Sequence, residues 1–256
     1  MCASDLHIAI VKIEEYISSL PSPIISGQEV QLLDESIRGI FRLVQLGPKD
    51  VFFHLGCGTG NSLRIASKEF GAKAVGIDND IEKIRLCEKD QNIIALNQNI
   101  VDSNLAEATV ILFWFSDEEI IRKMYEKFSC LRPGCKIITI FDPLPGVLPN
   151  LVRFPYLLHK TPFNPAKNFK EQIITIFGTE CIDFTTSWEH AERYTKAIGS
   201  PDAGNDRFLT ILQTVMIWIN AKNLGLSCTQ EIPAPIKAYI EILDNFFNIE
   251  VKHLIK

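Results

Sequence analysis

Long apolar runs, dense basic runs and paired cysteines are all missing from this chain of 256 residues, and each absence narrows its class. The most apolar helical stretch, Phe208 to Ala221, is interrupted by Thr210, Gln213, Thr214 and Asn220. It is also shorter than the ~20 residues of a membrane span, so a buried amphipathic helix is the expectation. Net charge is −5 and the pI is about 5.6, with no concentrated Lys/Arg run. Nothing in that balance draws the chain generally toward DNA or RNA. Its seven cysteines (Cys2, Cys57, Cys87, Cys130, Cys135, Cys181, Cys228) are odd in number and form no C-x-x-C pair, so they read as reduced thiols. Cys130 and Cys135, the closest two, flank Leu131-Arg132-Pro133-Gly134 without the nearby histidine that would complete a zinc set. The start, Met1-Cys2-Ala3-Ser4-Asp5, lacks the basic and apolar regions of a secretory signal, and a cytoplasmic protein is expected. Internal repeats and low-complexity tracts are absent too.

What is present is an ordinary globular composition, 46% hydrophobic and 22% charged. Helical spacing over 4–20 stops at Pro21 and Pro23, and a second helical pattern covers roughly Gly27 to Leu46. Gly47-Pro48-Lys49-Asp50 then turns the chain into the short apolar run Val51-Phe52-Phe53-His54-Leu55, which predicts a central parallel strand. From there elements alternate: helix 61–70, strand 73–77, helix 80–89, strand 92–96, strand 109–113, helix 117–129 and strand 135–141. This alternation predicts a doubly wound α/β sheet, mostly parallel, whose ligand lies at the carboxyl ends of the strands. Past Asp142 the prolines 143, 145, 149, 155, 162 and 165 predict a linker or lid. A strand over 170–177, helices at 187–198, 205–224 and 234–246, and a last strand over 249–255 are expected beyond it. The implied division is a helix over 1–23, a ligand-binding core over 24–142, and over 143–256 a Pro-rich linker, a helical substrate-facing module and the final strands of a seven-strand sheet.

The stretch Gly56-Cys57-Gly58-Thr59-Gly60 leaves a strand, turns on three glycines and enters a helix. Glycines allow a ligand to approach the backbone, and a helix amino terminus offers free N–H groups to a carboxylate or phosphate. A dinucleotide fingerprint, G-x-G-x-x-G, would need glycine at 61, where Asn61 stands. The observed G-x-G-x-G favours S-adenosylmethionine over a nicotinamide cofactor. Asp78 ends the next strand, 18 residues past Gly60, where a carboxylate can accept both hydroxyls of a ribose. The third strand ends near Asn97-Gln98-Asn99, in reach of an adenine by chain order.

His54-Leu55-Gly56-Cys57-Gly58-Thr59-Gly60, Val75-Gly76-Ile77-Asp78 and Leu131-Arg132-Pro133-Gly134 resemble motifs of class I, seven-strand S-adenosylmethionine-dependent methyltransferases, all within residues 50 to 141. Pro21-Ser22-Pro23, Leu46-Gly47-Pro48-Lys49-Asp50, Glu69-Phe70-Gly71-Ala72-Lys73-Ala74-Val75-Gly76 and Glu107-Ala108-Thr109-Val110 give a looser likeness to the small archaeal non-SET protein-lysine methyltransferases. The resemblance implies S-adenosyl-L-methionine as cofactor, with His54, Gly56, Cys57, Gly58, Gly60, Asp78, Asn99 and Phe113 around it. It implies methyl transfer to a protein lysine or a small molecule. One departure stands out, because His54 occupies a position where the class has an acid, and histidine brings no fixed negative charge. A cofactor-binding protein without catalysis and a nicotinamide oxidoreductase are the competing readings.

In-line methyl transfer needs mainly positioning and, for an amine or hydroxyl acceptor, a place for its proton. The end of the fourth strand, Phe113-Trp114-Phe115-Ser116-Asp117, offers aromatic walls and Ser116. Asp142, just past the fifth strand, is a candidate base. Ser116 and Asp117 are also suited simply to cap the next helix. His190 and Tyr194 share a helix face and are candidates for a base and its orienting partner.

Overall fold

A computed structural model describes residues 31–199 and 203–256; the helix expected over 4–20 and the first residues of the one expected from Gly27 lie outside them. Two compact units divide the described chain, a sheet unit from Leu32 to Ile176 and a helical unit from Phe177 to Lys256.

The main sheet of this unit has seven strands: β1 (Val51–Leu55), β2 (Lys73–Asp78), β3 (Ile93–Asn97), β4 (Val110–Phe113), β5 (Lys136–Ile140), β6 (Leu151–Arg153) and β7 (Tyr156–Lys160). Their order is β3-β2-β1-β4-β5-β7-β6. The first five run parallel, and β7 lies antiparallel between β5 and β6. The sheet is therefore mostly parallel and doubly wound, as expected. Helices α1 (Asp34–Leu43), α2 (Asn61–Phe70), α3 (Ile81–Leu86), α4 (Glu118–Ser129) and α5 (Phe169–Phe177) accompany it.

Strand alternation sorts the core. Phe52 and His54 share the face toward α1 and α2, where the Phe52 ring stands 4.8 Å from Phe41. Phe53 and Leu55 point the other way, into a cluster with Ile111, Phe113, Met124 and Phe128. β4 is buried at every residue, which is why it reads as an unbroken apolar run. β3 is the edge and leaves Ile94 and Leu96 exposed.

The helical unit consists of α6 (Phe184–Ala197), α7 (Ala203–Asn223) and α8 (Ala234–Phe247). Asp183 caps α6 by accepting from the Thr186 N–H at 2.8 Å. The stretch from Phe208 to Ala221 is not amphipathic: Leu212, Val215, Met216, Trp218 and Ile219 are all buried, so α7 forms the center of this unit. Among the described residues no helix is long and apolar enough to cross a membrane.

Four expectations need correcting. The proline-rich stretch is no linker, since β6 and β7 lie within it and complete the sheet; Pro143, Pro145, Pro149 and Pro155 fall between strands and Pro162 follows β7, where a missing N–H breaks no ladder. Residues 170–177 are not a strand but belong to α5, because the Asn168 Oδ1 accepts from the Glu171 N–H at 2.9 Å and starts a helix. Residues 249–255 are not a strand either: α8 ends on Asn248, Ile249 and Val251 are buried, and a short 3₁₀ turn, Lys252–Leu254, follows. Finally, the cysteines are not all reduced, because Cys181 and Cys228 form a disulfide that joins the residues before α6 to those after α7.

That bond spans 47 residues, a loop for which chain entropy gives about 4 kcal/mol of stabilization. Thiol titration in denaturant without reductant should therefore find five of the seven cysteines. Cys228→Ala should lower the unfolding free energy by about that amount, measured by denaturant melts.

Candidate functional site

The glycine loop is tied to the end of β2 by backbone and side chain together. Gly56 and Cys57 both donate N–H bonds to the Ile77 carbonyl, at 2.8 and 3.1 Å. Gly58 N–H donates to Asp78 Oδ2 at 2.8 Å, while Asp78 Oδ1 accepts from the Asp80 N–H at 2.9 Å. Gly60, at φ +80°, precedes α2 without any side-chain cap, so the first turn of that helix keeps N–H groups available for an anion. A Cβ on Gly58 would meet nothing within 4 Å. The loop is therefore open at the point where a ligand would approach.

Gly76 explains how the loop comes so close to β2. A Cβ there would lie 2.4 Å from Leu63 Cδ1 and 2.6 Å from Cys57 Sγ. No larger side chain fits without displacing the loop. Cys57 and Cys87 are both buried and both direct their sulfur at the Gly58 carbonyl, at 3.7 and 3.6 Å. Burial pushes both thiols up, so neither is a nucleophile at neutral pH.

His54 stands on β1 with its Nδ1 2.6 Å from Ser62 Oγ, in the first turn of α2. Burial lowers its imidazole to about 4, against a smaller opposing pull from Asp78, so it is neutral at physiological pH. The position where the resemblance leads one to expect an acid thus holds an uncharged group. Two carboxylates bond to the loop or to the first turn of α2. One is Asp78; the other is Asp34 of α1, which accepts from Asn61 Nδ2 at 2.5 Å and from Arg64 at 3.2 Å. Asp34, Asn61, Ser62 and Arg64 were not found by sequence reasoning. Asn61 was visible as the residue that breaks the dinucleotide spacing, but its link to Asp34, 27 residues back, has no local signal.

The remaining expected contacts divide. Asn99 is exposed and caps a 3₁₀ turn by accepting from the Val101 N–H at 3.0 Å. Asn97 is tied to the Asp78 carbonyl at 3.1 Å. Phe113 is committed to the core, 2% exposed and stacked 5.0 Å from Phe115. Phe115 is the aromatic at the loop, its Cζ 3.0 Å from where a Cβ on Gly56 would be. Asp117, not Ser116, caps α4 by accepting from the Ile120 N–H at 2.8 Å.

Leu112 of β4 pairs with Ile138 of β5, and four residues beyond that pair stand Ser116 and Asp142, both half-buried past adjacent strand ends. Between β5 and Asp142, Phe141 takes φ +67°, and the Asp142 N–H donates to the Ile140 carbonyl at 2.8 Å in a three-residue turn. A bulky residue in that conformation is strained, a feature that clusters at functional sites. His190 belongs to the helical unit, where its Nδ1 faces the Thr186 carbonyl at 2.8 Å and its ring lies 4.6 Å from Phe177. Those contacts account for it as a packed helix residue.

No protein-family model matches the sequence. A protein-lysine N-methyltransferase of Saccharolobus islandicus (strain REY15A) is 28% identical over 116 residues, which cover 41% of this chain and 71% of that protein. The crystal structure of an RNA methyltransferase from Salinibacter ruber in complex with S-adenosyl-L-homocysteine superposes with a TM-score of 0.50 at 18% identity, over 54% of this chain and 98% of that one. With the strand order above, this shows the fold: a mostly parallel seven-strand, Rossmann-like sheet of the methyltransferase type, followed in the chain by a helical carboxyl-terminal extension.

Two outcomes test the site geometry. Gly76→Ala should destabilize the chain by about 1–3 kcal/mol through overpacking, read as a lowered denaturation midpoint. The histidines set a pH dependence. His54, like the fully buried His159 of β7, is held at about 4 by burial, against about 6.5 in an unfolded chain. Between those values the unfolded chain binds more protons, so stability should fall as pH drops from about 6.5 to 4. His54→Gln or His159→Gln should each remove about one proton from that slope in pH-dependent denaturant melts.

Proposed function

We propose that this chain is an S-adenosylmethionine-dependent methyltransferase. The observation that carries the proposal is the open glycine loop fastened to Asp78 at the head of an uncapped helix. The donor set suits this cofactor: N–H groups at the start of α2 for its carboxylate, Asp78 for its ribose hydroxyls, and Gly58 for close backbone approach. Asp78 is bonded at each oxygen by one backbone N–H, which fixes its direction and leaves further lone pairs for hydroxyl donors. Bound S-adenosylmethionine would supply the electrophilic methyl group. The chain's own residues would orient an acceptor at the ends of β4 and β5, where Asp142 is the carboxylate suited to take its proton.

A protein lysine is the acceptor we favor over a small molecule, supported by the archaeal relative. A second reading, a cofactor-binding protein without turnover, is favored by one observation: the neutral imidazole of His54 at the acid position.

Calorimetry should show binding of S-adenosylmethionine and S-adenosylhomocysteine, with Asp78→Ala weakening both at least tenfold, since hydrogen bonds to charged groups contribute about 1.5–3 kcal/mol. Tight NADH binding with no response to S-adenosylmethionine would overturn the proposal. Incubation with methyl-labelled cofactor and protein extract should place label in lysine. Asp142→Asn should lower the rate about 100-fold or more while cofactor affinity is kept. Binding without any label transfer would establish the second reading.

A further inference from the structure

The helical unit contains a cavity of about 390 Å³ bounded by α6, α7 and α8, within the size range of small-molecule sites. Its walls are aromatic: Trp188 of α6 and Tyr239 of α8 lie 6.0 Å apart at 48°, with Ile211 of α7 beside them. Deeper in, the hydroxyls of Thr195 and Thr210 meet at 3.0 Å, both buried. At the rim are Lys196, Arg207 and Glu192.

Hydrogen-bonding capacity in this cavity is unbalanced. Glu192, the carboxylate of the lining, is already paired with Lys196 at 3.0 Å. Arg207 has no carboxylate partner among the described residues. Neither the Trp188 indole N–H nor the Tyr239 hydroxyl makes a hydrogen bond to the described residues. The lining therefore offers several donors, one uncompensated positive charge and two ring faces, with its acidic acceptor occupied. Such a lining complements a flat molecule bearing one negative charge: its ring packs against the tilted Trp188–Tyr239 pair, and its oxyanion meets the Arg207 guanidinium.

We propose that the helical unit binds a planar aromatic carboxylate or comparable organic anion in this cavity, whose lining includes no residue of the glycine loop. The probes are 2-naphthoate and its neutral isostere 2-naphthamide, titrated calorimetrically into the full chain. 2-Naphthoate is expected to bind one to one, at least tenfold tighter than 2-naphthamide. Arg207→Gln changes an exposed side chain; it should weaken 2-naphthoate at least tenfold, leave 2-naphthamide unchanged and keep the thermal midpoint. Trp188→Ala should weaken both probes. Equal affinity for acid and amide, 2-naphthoate binding unaltered by Arg207→Gln, or no binding of either probe at millimolar concentration would overturn the proposal.

Discussion

The bond from the Gly58 N–H to the Asp78 carboxylate is the constraint on which the site depends. It joins the loop after β1 to the end of β2, so the glycine loop and the Asp78 carboxylate cannot move independently. The close approach needs Gly76, whose missing side chain lets Cys57 and Leu63 settle onto the strand. A hydrogen bond to an ionized group contributes more than a neutral one, and here it also holds Asp78 in a single direction. The loop's openness at Gly58 and the free N–H groups of α2 follow from that anchoring. A preorganized cradle of this kind is not made by the glycine spacing alone.

The parallel core was legible in the sequence because buried strands leave an unmistakable trace. Val51–Leu55 and Val110–Phe113 are continuous apolar runs since both faces of each strand are covered. Glycine spacing and Asp78 pointed to the ligand because turn geometry and a strand-end acid are local features. What failed was non-local or polar. The hairpin β6–β7 was hidden by prolines that look like linker residues until their positions between strands are known. α5 was hidden because Asn168 as a cap and Gln172 bonding to Leu144 and Val147 are meaningful only in three dimensions. The Cys181–Cys228 pairing joins residues far apart in sequence, and an odd cysteine count gave no hint of it.

Within the site, sequence reasoning identified positions better than side-chain roles. Phe113 was placed correctly at the end of β4, yet strand alternation turns its ring into the core and leaves Phe115, two residues on, at the loop. The same period of two puts His54 beside Phe52, on the face of β1 that meets α2. Ser62 is therefore its natural partner, since the first turn of α2 lies directly over that face.

That placement explains how the chain accommodates a histidine at an acid's position. His54 lies close enough to Asp78 to be influenced by its charge. A second carboxylate there would add like-charge repulsion in a poorly solvated setting, whereas the imidazole stays neutral and keeps a hydrogen bond to α2. Negative charge near the helix is carried from its flank by Asp34, fixed to Asn61 and Arg64. Under the proposed function, a zwitterionic methionine end would be held less through its ammonium group and more through its carboxylate, at the uncapped start of α2. On that proposal the loop would bind by its N–H donors and by Asp78, with affinity at the ammonium end reduced relative to a site that keeps the acid.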